Sequence, residues 1–416
     1  MATTTATADE AMVIGPDAAR GFKRARQRQQ WLAFALVVPL ALYLITVFVL
    51  PLALMLFKAV ENPEVPKVLP RTVKALRGWD GQQLPGDAAF RALADDLAES
   101  YENQTVANAA KRLNMEISGY RSMMMGAARK MPLAADVDAR AAFLEMDERW
   151  GDVEYWRAIK RNGSAFTSHY LLASVDLDTQ NGAIVRAPED QRIFLGILGR
   201  TFWISLVVTI ACVALGYPLA YYLATRPTRT ANLLMVFVLL PFWTSVLVRI
   251  ASWIVLLQAG GLVNQALMGL GITSEPLELV FNRIGVYISM THILLPFMVL
   301  PVYSVMKSIP PTYMRAAISL GSHPFAAFWR VYAPQTVAGI SAGAILVFIM
   351  SIGYYITPAL LGSPKEQMLS YFVAFYTNVT INWGMAAALG TVLLVTTLAL
   401  YGVYQAITGG AKVKLG

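Results

Sequence analysis

The stretch VYAPQTVAGISAGAILVFIMSIGYYITPALL, residues 331–361, contains no Lys, Arg, Asp or Glu. A helix needs about 20 apolar residues to cross the roughly 30 Å of hydrocarbon in a bilayer. Further stretches are equally free of charge and similarly long, namely residues 31–57, 201–224, 230–248, 284–306 and 384–406. The sequence therefore predicts an all-α membrane protein with about six transmembrane helices.

The composition of the chain agrees with a membrane protein. Hydrophobic residues make up 56% of the 416 positions and charged residues 14%, whereas soluble domains carry about 25% charged residues. The single cysteine, Cys212, lies inside an apolar stretch, so no disulfide framework is expected. Residues 31–57 are too long for the core of a cleavable signal peptide and predict a retained signal anchor.

The charged residues predict an orientation in the membrane. Residues 58–194 hold 18 Lys/Arg and 20 Asp/Glu, whereas the rest of the chain is strongly basic. With six spans, twelve basic residues fall on one side: Arg20, Lys23, Arg24, Arg26, Arg28, Arg226, Arg229, Lys307, Arg315, Arg330, Lys412 and Lys414. By the positive-inside rule, both termini are cytoplasmic and residues 58–194 are exported. The basic charge is therefore explained by membrane topology, and we expect no nucleic acid partner.

The predicted organisation has five parts: a cytoplasmic tail at 1–30, the first transmembrane helix at 31–57, a periplasmic or extracellular insert at 58–194, a membrane core at 195–406 and a cytoplasmic tail at 407–416. Apolar residues at helical spacing predict a mostly helical insert. Near its end, residues 169–185 predict a short hairpin turning at Asn181-Gly182. Asp176, Asp178 and Asn181 suggest a calcium loop, but the glycine comes one position late and no Glu closes it, which favours a plain turn.

Several function classes are disfavoured by the motifs. No Gly-rich loop ends in Gly-Lys-Ser/Thr, so the chain is not expected to hydrolyse nucleotide. His169, His292 and His323 are far apart and fall on different sides of the membrane, so they do not predict a metal site. No pairing of nucleophile and base stands out. The sequence predicts no enzymatic activity of its own.

The cytoplasmic segment KSIPPTYMRAAISLGSHPFAAFWRVYAP, residues 307–334, predicts two short helices. The first spans 312–320 and ends at Gly321, where a positive φ is easiest. Pro324 suits the first turn of the second helix, which covers 325–330. Pro334 marks the start of the fifth span.

Two interpretations of this segment are open on physical grounds. Its small-residue helix and its aromatic face of Phe325, Phe328 and Trp329 suit a groove on a partner protein. Alternatively, the segment lies on lipid as an amphipathic helix, with Lys307, Arg315 and Arg330 among the headgroups.

The spacing of Ala316-Ala317, Gly321, Val331 and Pro334 resembles the "EAA" coupling loop of binding-protein-dependent ABC importer permeases. The blocks at 200–224, 241–264, 292–306 and 339–362 resemble the polyamine-type (spermidine/putrescine) subfamily in the same order and spacing. The resemblance covers about 195–406 and the first span. Arg315 departs from the usual Glu and Ser319 from a common acid, which puts the charge pairing with a partner in question. The 137-residue insert is longer than in typical relatives.

The resemblance implies the type I ABC importer permease fold and a set of partners. These are a cytoplasmic ATPase dimer, a second permease subunit in a heterodimer, an extracytoplasmic solute-binding protein and the lipid bilayer. It implies a location in the bacterial inner membrane, no cofactor on this chain, and ATP-Mg bound by the partner ATPase. The loop residues that would couple to the ATPase are Arg315, Ala316, Ala317, Gly321, Phe325, Val331 and Pro334.

The function implied by the resemblance is ATP-driven import of a small organic solute, a polyamine or a related compound, delivered by a solute-binding protein. The alternative is a secondary transporter without an ATPase partner. It predicts inverted repeats and intramembrane carboxylates, and neither is visible. A membrane receptor that uses the insert as a sensor is a third class, but residues 407–416 leave little room for a signalling domain.

A few residues could line a solute pathway. Arg249 is the only charged residue well inside a span, so it faces a cavity or a partner, or its side chain snorkels to the interface. His292 is a weaker candidate, because a structural histidine explains it equally well. The aromatic residues Trp243, Trp253, Tyr354 and Tyr355 could hold a cation or form an interfacial belt.

The predicted spans contain no Asp or Glu. Carboxylates along the path should stabilise a dication that crosses the membrane. Either the partner permease supplies the acids, the pore only relays solute from the binding protein, or the solute differs from a polyamine.

Overall fold

The computed structural model describes residues 16–134, 136–180 and 183–408. The chain divides at Phe57 and Lys58 into two compact units, which are described in turn. In the first unit, α1 (Pro16–Leu44), a π-helical turn (Ile45–Val49) and α2 (Leu50–Phe57) follow one another without a break. The stretch Gln29–Phe57 is long and apolar enough to span a membrane. The predicted polar tail lies largely in residues 1–15, outside the described residues.

The second unit begins with the insert, and the prediction of a mostly helical insert is confirmed. Its elements are α3 (Glu64–Val68), α4 (Pro70–Ala75), α5 (Asp87–Glu102), α6 (Val106–Asn114), α7 (Tyr120–Ala128), α8 (Ala139–Met146), a 3-10 turn (Glu148–Gly151), α9 (Val153–Arg161), α10 (His169–Ala173), the strands β1 (Leu177–Gln180) and β2 (Ala183–Arg186), and a 3-10 turn (Glu189–Gln191).

An aromatic core holds the insert helices together. Trp150, Trp156, Phe90, Phe143 and Tyr120 are fully buried. The rings of Phe90 and Trp156 meet edge to face with 4.4 Å between centroids. Burying a large side chain of this kind stabilises a fold by roughly 1.5–3 kcal/mol. The insert therefore has a hydrophobic core of its own.

A buried carboxylate ties two helices of the insert together. The Asp96 carboxylate accepts hydrogen bonds from the Thr72 backbone N–H at 2.7 Å and the Thr72 hydroxyl at 2.8 Å. Burial nevertheless raises the pKa of Asp96 above its ordinary value, because desolvation disfavours the charged form more than these bonds favour it.

The hairpin prediction near the end of the insert is correct for 177–185 and wrong for 169–173. β1 and β2 pair antiparallel from Leu177–Arg186 to Gln180–Ala183, and the predicted turn at 181–182 lies outside the described residues. The preceding residues form α10 instead of strand.

Asp176, which was weighed as a calcium ligand, caps a long helix. Its Oδ1 accepts the backbone N–H groups of Ile193 at 3.1 Å and Phe194 at 2.9 Å, and its Oδ2 that of Leu195 at 2.9 Å. A carboxylate at this position satisfies orphan donors and interacts favourably with the helix dipole. Both oxygens are thus engaged, which favours the plain-turn interpretation.

The membrane part follows. It contains α11 (Phe194–Thr225), α12 (Thr228–Leu239), a 3-10 turn (Leu240–Trp243), α13 (Val246–Leu257), α14 (Leu262–Gly269), α15 (Arg283–Ser308), α16 (Thr312–Ser319), α17 (Pro324–Ala327), a π-helical turn (Phe328–Tyr332), α18 (Ala333–Ile352), α19 (Ile356–Leu361), a 3-10 turn (Pro364–Glu366), α20 (Leu369–Asn378) and α21 (Trp383–Thr408). Across both units, six described segments are long and apolar enough to span a membrane, which confirms the predicted fold class.

The third predicted span, 230–248, is wrong as a continuous helix. The chain forms α12, breaks at Leu240–Ser245 and continues as α13, and the stretch that qualifies as a span is Val246–Gly269. Pro241 stands in the first turn of the 3-10 segment, where a residue without an N–H cannot continue the helix. In contrast, Pro296 and Pro301 lie inside α15, which continues through both.

Span 4, α15, is the central helix of the membrane part, and glycines let its neighbours approach closely. A Cβ on Gly343 of α18 would stand 2.8 Å from Met298 Sδ, and one on Gly339 3.0 Å from the Pro301 carbonyl oxygen. A Cβ on Gly216 of α11 would stand 2.9 Å from Met298 Cγ. These small residues permit close helix contact in the membrane.

Helix α11 runs from one end of the membrane part to the other. Its 32 residues span about 48 Å at 1.5 Å per residue. Asp176 of the insert caps its first turn, whereas Tyr221, near its last turn, meets Phe328. The insert and the 312–332 segment therefore lie at opposite ends of the same helix.

Candidate functional site

The loop between the fourth and fifth spans has the predicted first helix and stop. α16 ends in a Schellman motif: the N–H of Gly321 donates to the Ile318 carbonyl at 2.9 Å, and the N–H of Ser322 to the Ala317 carbonyl at 3.0 Å. Gly321 has a φ of +89°, which a residue with a Cβ adopts only with strain. The predicted role of Gly321 as the helix stop is confirmed.

The second helix of the loop is longer than predicted. α17 starts at Pro324, and His323 Nδ1 accepts the N–H of Phe325 at 3.3 Å. Instead of ending at Arg330, the helix passes through the π-helical turn Phe328–Tyr332 into α18. Pro334 does not interrupt it, because the π-helical turn directly before it changes the hydrogen-bond register and so accommodates a residue without an N–H. The loop is thereby continuous with span 5.

The outer surface of the loop presents apolar side chains. Leu320 is 88% exposed, Phe325 69% and Trp329 56%. Arg315 and Ala316 are also exposed, whereas Ala317 and Val331 are half-buried. Exposed apolar residues grouped in one segment of the chain mark a contact surface for a protein or for lipid.

The inner surface of the loop packs on α11 through four aromatic rings. Phe328 meets Tyr221 edge-on at 5.3 Å, and stacks with Tyr332 at 5.7 Å. Tyr332 meets Tyr221 at 5.5 Å, and the Tyr217 hydroxyl lies 3.2 Å from Thr336 Oγ1. Such aromatic pairs contribute about 0.5–1.5 kcal/mol each beyond their burial. The loop is thus fixed to span 2 as well as to span 5.

Phe328 was predicted only as part of an aromatic face for a partner protein, and Tyr217, Tyr221, Tyr332 and Thr336 were not predicted to belong to the site. A signal was available, since Tyr217 and Tyr221 are four residues apart and therefore share one face of α11. The sequence did not show that this face of α11 packs against the loop.

Among the predicted pathway residues, four lie near one another. Trp253 Nε1 donates to His292 Nδ1 at 3.2 Å, so that His292 nitrogen is an acceptor. Arg249, one turn before Trp253 on α13, interacts electrostatically with His292 and with Tyr354. Its Nε and Nη1 are buried without a hydrogen-bond partner, and within residues 183–408 no carboxylate forms an ion pair with it.

The other two predicted pathway residues are not part of this group. Trp243 is 74% exposed and Tyr355 39% exposed. Neither side chain forms a hydrogen bond or ring contact with the described part of the chain. Trp243 was assigned to a continuous third span, and the break at Leu240–Ser245 removes it from the segment that carries Arg249.

The sequence is similar to known transport proteins over its membrane core. Residues 216–412 match the family described as "Binding-protein-dependent transport system inner membrane component". The chain is 34% identical over 216 residues to the spermidine/putrescine transport system permease protein PotB of Haemophilus influenzae, covering 50% of this chain and 76% of that protein. It is 32% identical over 203 residues to PotB of Escherichia coli, covering 49% and 74%.

Solved structures of a bacterial alginate ABC transporter are similar at lower identity. One aligns over 52% of this chain and 80% of the other with 18% identity and a TM-score of 0.40. A second, in complex with a periplasmic protein bound to alginate pentasaccharide, aligns over 52% and 78% with 16% identity and a TM-score of 0.44.

The family assignment rests on the sequence relatives, and they confirm the resemblance to polyamine-type permeases. The six apolar spans and these relatives make the chain a multi-pass inner membrane protein. The chain belongs to the family of binding-protein-dependent transport system inner membrane components, and it is a membrane permease subunit of an ABC importer.

Proposed function

We propose that this permease imports a small organic solute, a polyamine or a related compound, with energy from a cytoplasmic ATPase dimer that docks on residues 312–332. A second permease subunit completes a heterodimer, and a solute-binding protein delivers the solute at the end of the membrane part that carries the insert. ATP-Mg binds to the ATPase, and this chain holds no cofactor. Both termini face the cytoplasm.

This proposal rests on the difference between the outer and the inner surface of the loop. Its outer side chains Leu320, Phe325 and Trp329 are exposed and apolar, whereas its inner rings are packed on α11. An element that is attached to both spans can transmit a displacement, because packed interfaces move as units. The ATPase would supply the displacement, and α11, α15 and α18 would rock between outward- and inward-open states.

The positions of the charges on the fold support the proposed orientation. Arg226 and Arg229 follow the same end of α11 that contacts the loop with Arg315 and Arg330. The insert, with its slight excess of acids, lies at the other end. Under the positive-inside rule, the loop end is cytoplasmic.

The coupling residues have distinct roles in this proposal. Ala316 and Ala317 give α16 a small-residue surface, Gly321 ends it, and Phe325 is an anchor for an ATPase cleft. Val331 and Pro334 belong to the continuous helix that joins the loop to span 5. Arg315 is exposed and would face an acidic or neutral residue of the ATPase.

We further propose that Arg249, Trp253, His292 and Tyr354 contact the solute along its path. The unpartnered Arg249 nitrogens and the Trp253–His292 pair support this, because buried polar groups without partners are expensive unless a ligand or water meets them.

Reconstitution tests the proposed function. The chain, its permease partner and the ATPase in proteoliposomes should take up putrescine or a related solute only with the solute-binding protein outside and ATP-Mg inside. Uptake that persists without the ATPase and follows an ion gradient would favour the secondary-transporter alternative.

A further inference from the structure

The break between α12 and α13, residues 240–245, lies deep in the membrane part. The ring of Phe242 meets the ring of Phe297 on α15 edge-on, with 5.0 Å between centroids. Along α15, Phe297 is about 21 Å from Arg283 and about 17 Å from Ser308. Both distances exceed half of the roughly 30 Å of hydrocarbon in a bilayer. The break is therefore near the middle of the membrane.

The two helices beside the break cross the membrane together. At the end of the membrane part that carries the loop, α12 begins three residues after Thr225, the last residue of α11. At the other end, Asn264 Nδ2 donates to the carbonyls of Leu257, the last residue of α13, at 3.4 Å and of Leu277, shortly before α15, at 3.0 Å. Although Val246–Gly269 is long and apolar enough to span a membrane alone, its first residue therefore lies at mid-depth.

The break leaves polar backbone groups without partners at this depth. The N–H groups in the first turn of a helix have no acceptor within that helix. Ser245 stands at the N-cap position of α13, and its side chain accepts none of them. Thr244 satisfies only itself, because its N–H and its hydroxyl both donate to the Pro241 carbonyl, at 3.2 Å and 2.9 Å. The start of α13 is thus uncapped.

A break of this kind does not face lipid. An unsatisfied backbone group in hydrocarbon costs several kcal/mol, so irregular backbone at membrane depth occurs only where protein buries it or water reaches it. This chain does not bury the break, since residues 242–245 are all exposed and Trp243 is 74% exposed. Either water or the second permease subunit therefore covers it.

The side chains at the break favour water over a protein contact. Thr244 and Ser245 expose hydroxyl side chains, and Arg249 follows in the first turn of α13. A charged side chain at membrane depth is expensive unless it faces the bundle interior or a water-filled cavity. Hydroxyl groups and a guanidinium within one short segment are typical of the wall of an aqueous path.

We propose that the break lines a water-filled part of the solute path and that the Trp243 ring contacts an ammonium group of the solute there. This inference rests on the proposed function, and it extends the path from the Trp253–His292 pair to mid-depth. The face of an indole ring attracts cations, and the carbonyl end of α12 beside it carries a partial negative charge. Arg249 belongs to the α13 side, so the ammonium group lies on the α12 side of the break.

Accessibility to a charged thiol reagent tests the water-filled path. Trp243→Cys, Thr244→Cys and Ser245→Cys are made one at a time in a Cys212→Ser background, and the complete transporter is studied in nanodiscs with and without ATP-Mg. A methanethiosulfonate that carries a trimethylammonium group should modify all three. Val395→Cys is the control, because Val395 is 58% exposed in the middle of the uninterrupted helix α21. It should react at least about tenfold more slowly, since the reactive thiolate forms only where water is present.

The charge preference of the reagent tests the contact with an ammonium group. At Thr244→Cys, the trimethylammonium reagent should react about two- to thirtyfold faster than a sulfonate reagent of similar size, after division by the same ratio at Ile184→Cys on the surface of the insert. Adding Trp243→Leu should remove this preference, whereas Trp243→Phe should keep part of it. In uptake with saturating solute-binding protein, Trp243→Leu should likewise lower the rate more than Trp243→Phe.

Three results would overturn the proposal: modification of the break no faster than that of Val395→Cys in both conditions, a preference for the sulfonate reagent, or a cation preference that survives Trp243→Leu. A transporter that imports solute but leaves these cysteines unmodified refutes only this inference. Uptake that needs no ATPase refutes the proposed function and leaves the accessibility result standing.

Discussion

The ring of Phe328 stands edge-on to the ring of Tyr221, with 5.3 Å between centroids and 82° between their planes. Phe328 belongs to the loop between spans 4 and 5, and Tyr221 to the end of span 2. This contact joins the segment that would meet the ATPase to a helix that reaches the opposite end of the membrane part. It is the shortest ring-to-ring route between them in the described structure.

Phe328→Leu should separate coupling from docking. The change removes the ring contacts with Tyr221 and Tyr332. It should weaken the packing of the loop on α11 by about 1–3 kcal/mol. We expect ATP-driven uptake to fall about tenfold or more while the ATPase still co-purifies. Phe325→Leu is the matched control on the exposed side, and it should weaken ATPase association instead. ATPase release by Phe328→Leu with no effect of Phe325→Leu would reverse the assignment.

Gly321→Ala should weaken docking through backbone strain alone. Nothing lies within 4 Å of a Cβ at this position, so no clash is involved, and the positive φ costs about 1–2 kcal/mol. We expect ATPase affinity, titrated on the permease in nanodiscs, to fall about five- to thirtyfold. Gly321→Asn should restore much of it, because Asn tolerates this conformation. Gly353→Ala, at a glycine with a φ of −78°, should be neutral; equal losses in both alanine variants would refute the strain mechanism.

Arg249 offers a test of pathway contact against snorkelling. If Arg249 contacts the solute, both Arg249→Gln and Arg249→Lys should lower uptake, since Lys cannot reproduce the planar guanidinium. If it only snorkels, Arg249→Lys should transport normally. Initial uptake rates at equal complex abundance decide between them. Arg229→Gln, in the segment after α11, serves as the control and should not change uptake.

Asp176 should contribute to stability as a helix cap. Asp176→Ala leaves three backbone N–H groups at the start of α11 without their acceptor, which should cost about 1–2 kcal/mol. The Tm of the purified chain should drop, and added calcium should not change the Tm of the parent chain. Asp178→Ala on the neighbouring strand is the control with a smaller expected effect. A calcium-dependent Tm that vanishes in Asp176→Ala would reinstate the metal-loop interpretation.

The insert should lose stability on mild acidification because of His169. Burial and the nearby Arg112 charge hold the pKa of His169 below its ordinary value of 6.5. The unfolded chain therefore binds a proton more readily than the folded chain, so stability is present above pH 6.5 and is lost as the pH falls toward the lowered pKa. Tryptophan fluorescence should show a falling Tm between about pH 7.5 and 5.5. His169→Gln should flatten this dependence; an unchanged slope would assign it to another group.

The number of spans was predictable because soluble helices keep a charged face, so a charge-free stretch of about 20 residues indicates a membrane span. The break in the third predicted span was not predictable, since Thr244 and Ser245 are compatible with a helix. Only Pro241 indicated an interruption. Where a chain stays apolar across a break, hydropathy alone does not reveal it. Arg249 was consequently placed well inside a span and lies instead in the first turn of α13.

The coupling loop was predictable in its first half because Gly321 and Pro324 have strong local preferences. Its second half was not, because the continuation through Phe328–Tyr332 depends on packing against Tyr221, which lies far earlier in the chain.

Docking of the ATPase on the loop can be measured most directly at Leu320, which is 88% exposed. Because Cys212 is the only cysteine, a spin label at Leu320→Cys in a Cys212→Ser background reports on one position. In nanodiscs, the label should be mobile and accessible to water-soluble relaxation agents, and adding the ATPase should immobilise and shield it. A label at Ile184→Cys in the insert should not respond. A Leu320 label that is accessible to oxygen in the lipid and indifferent to the ATPase would contradict coupling through this loop.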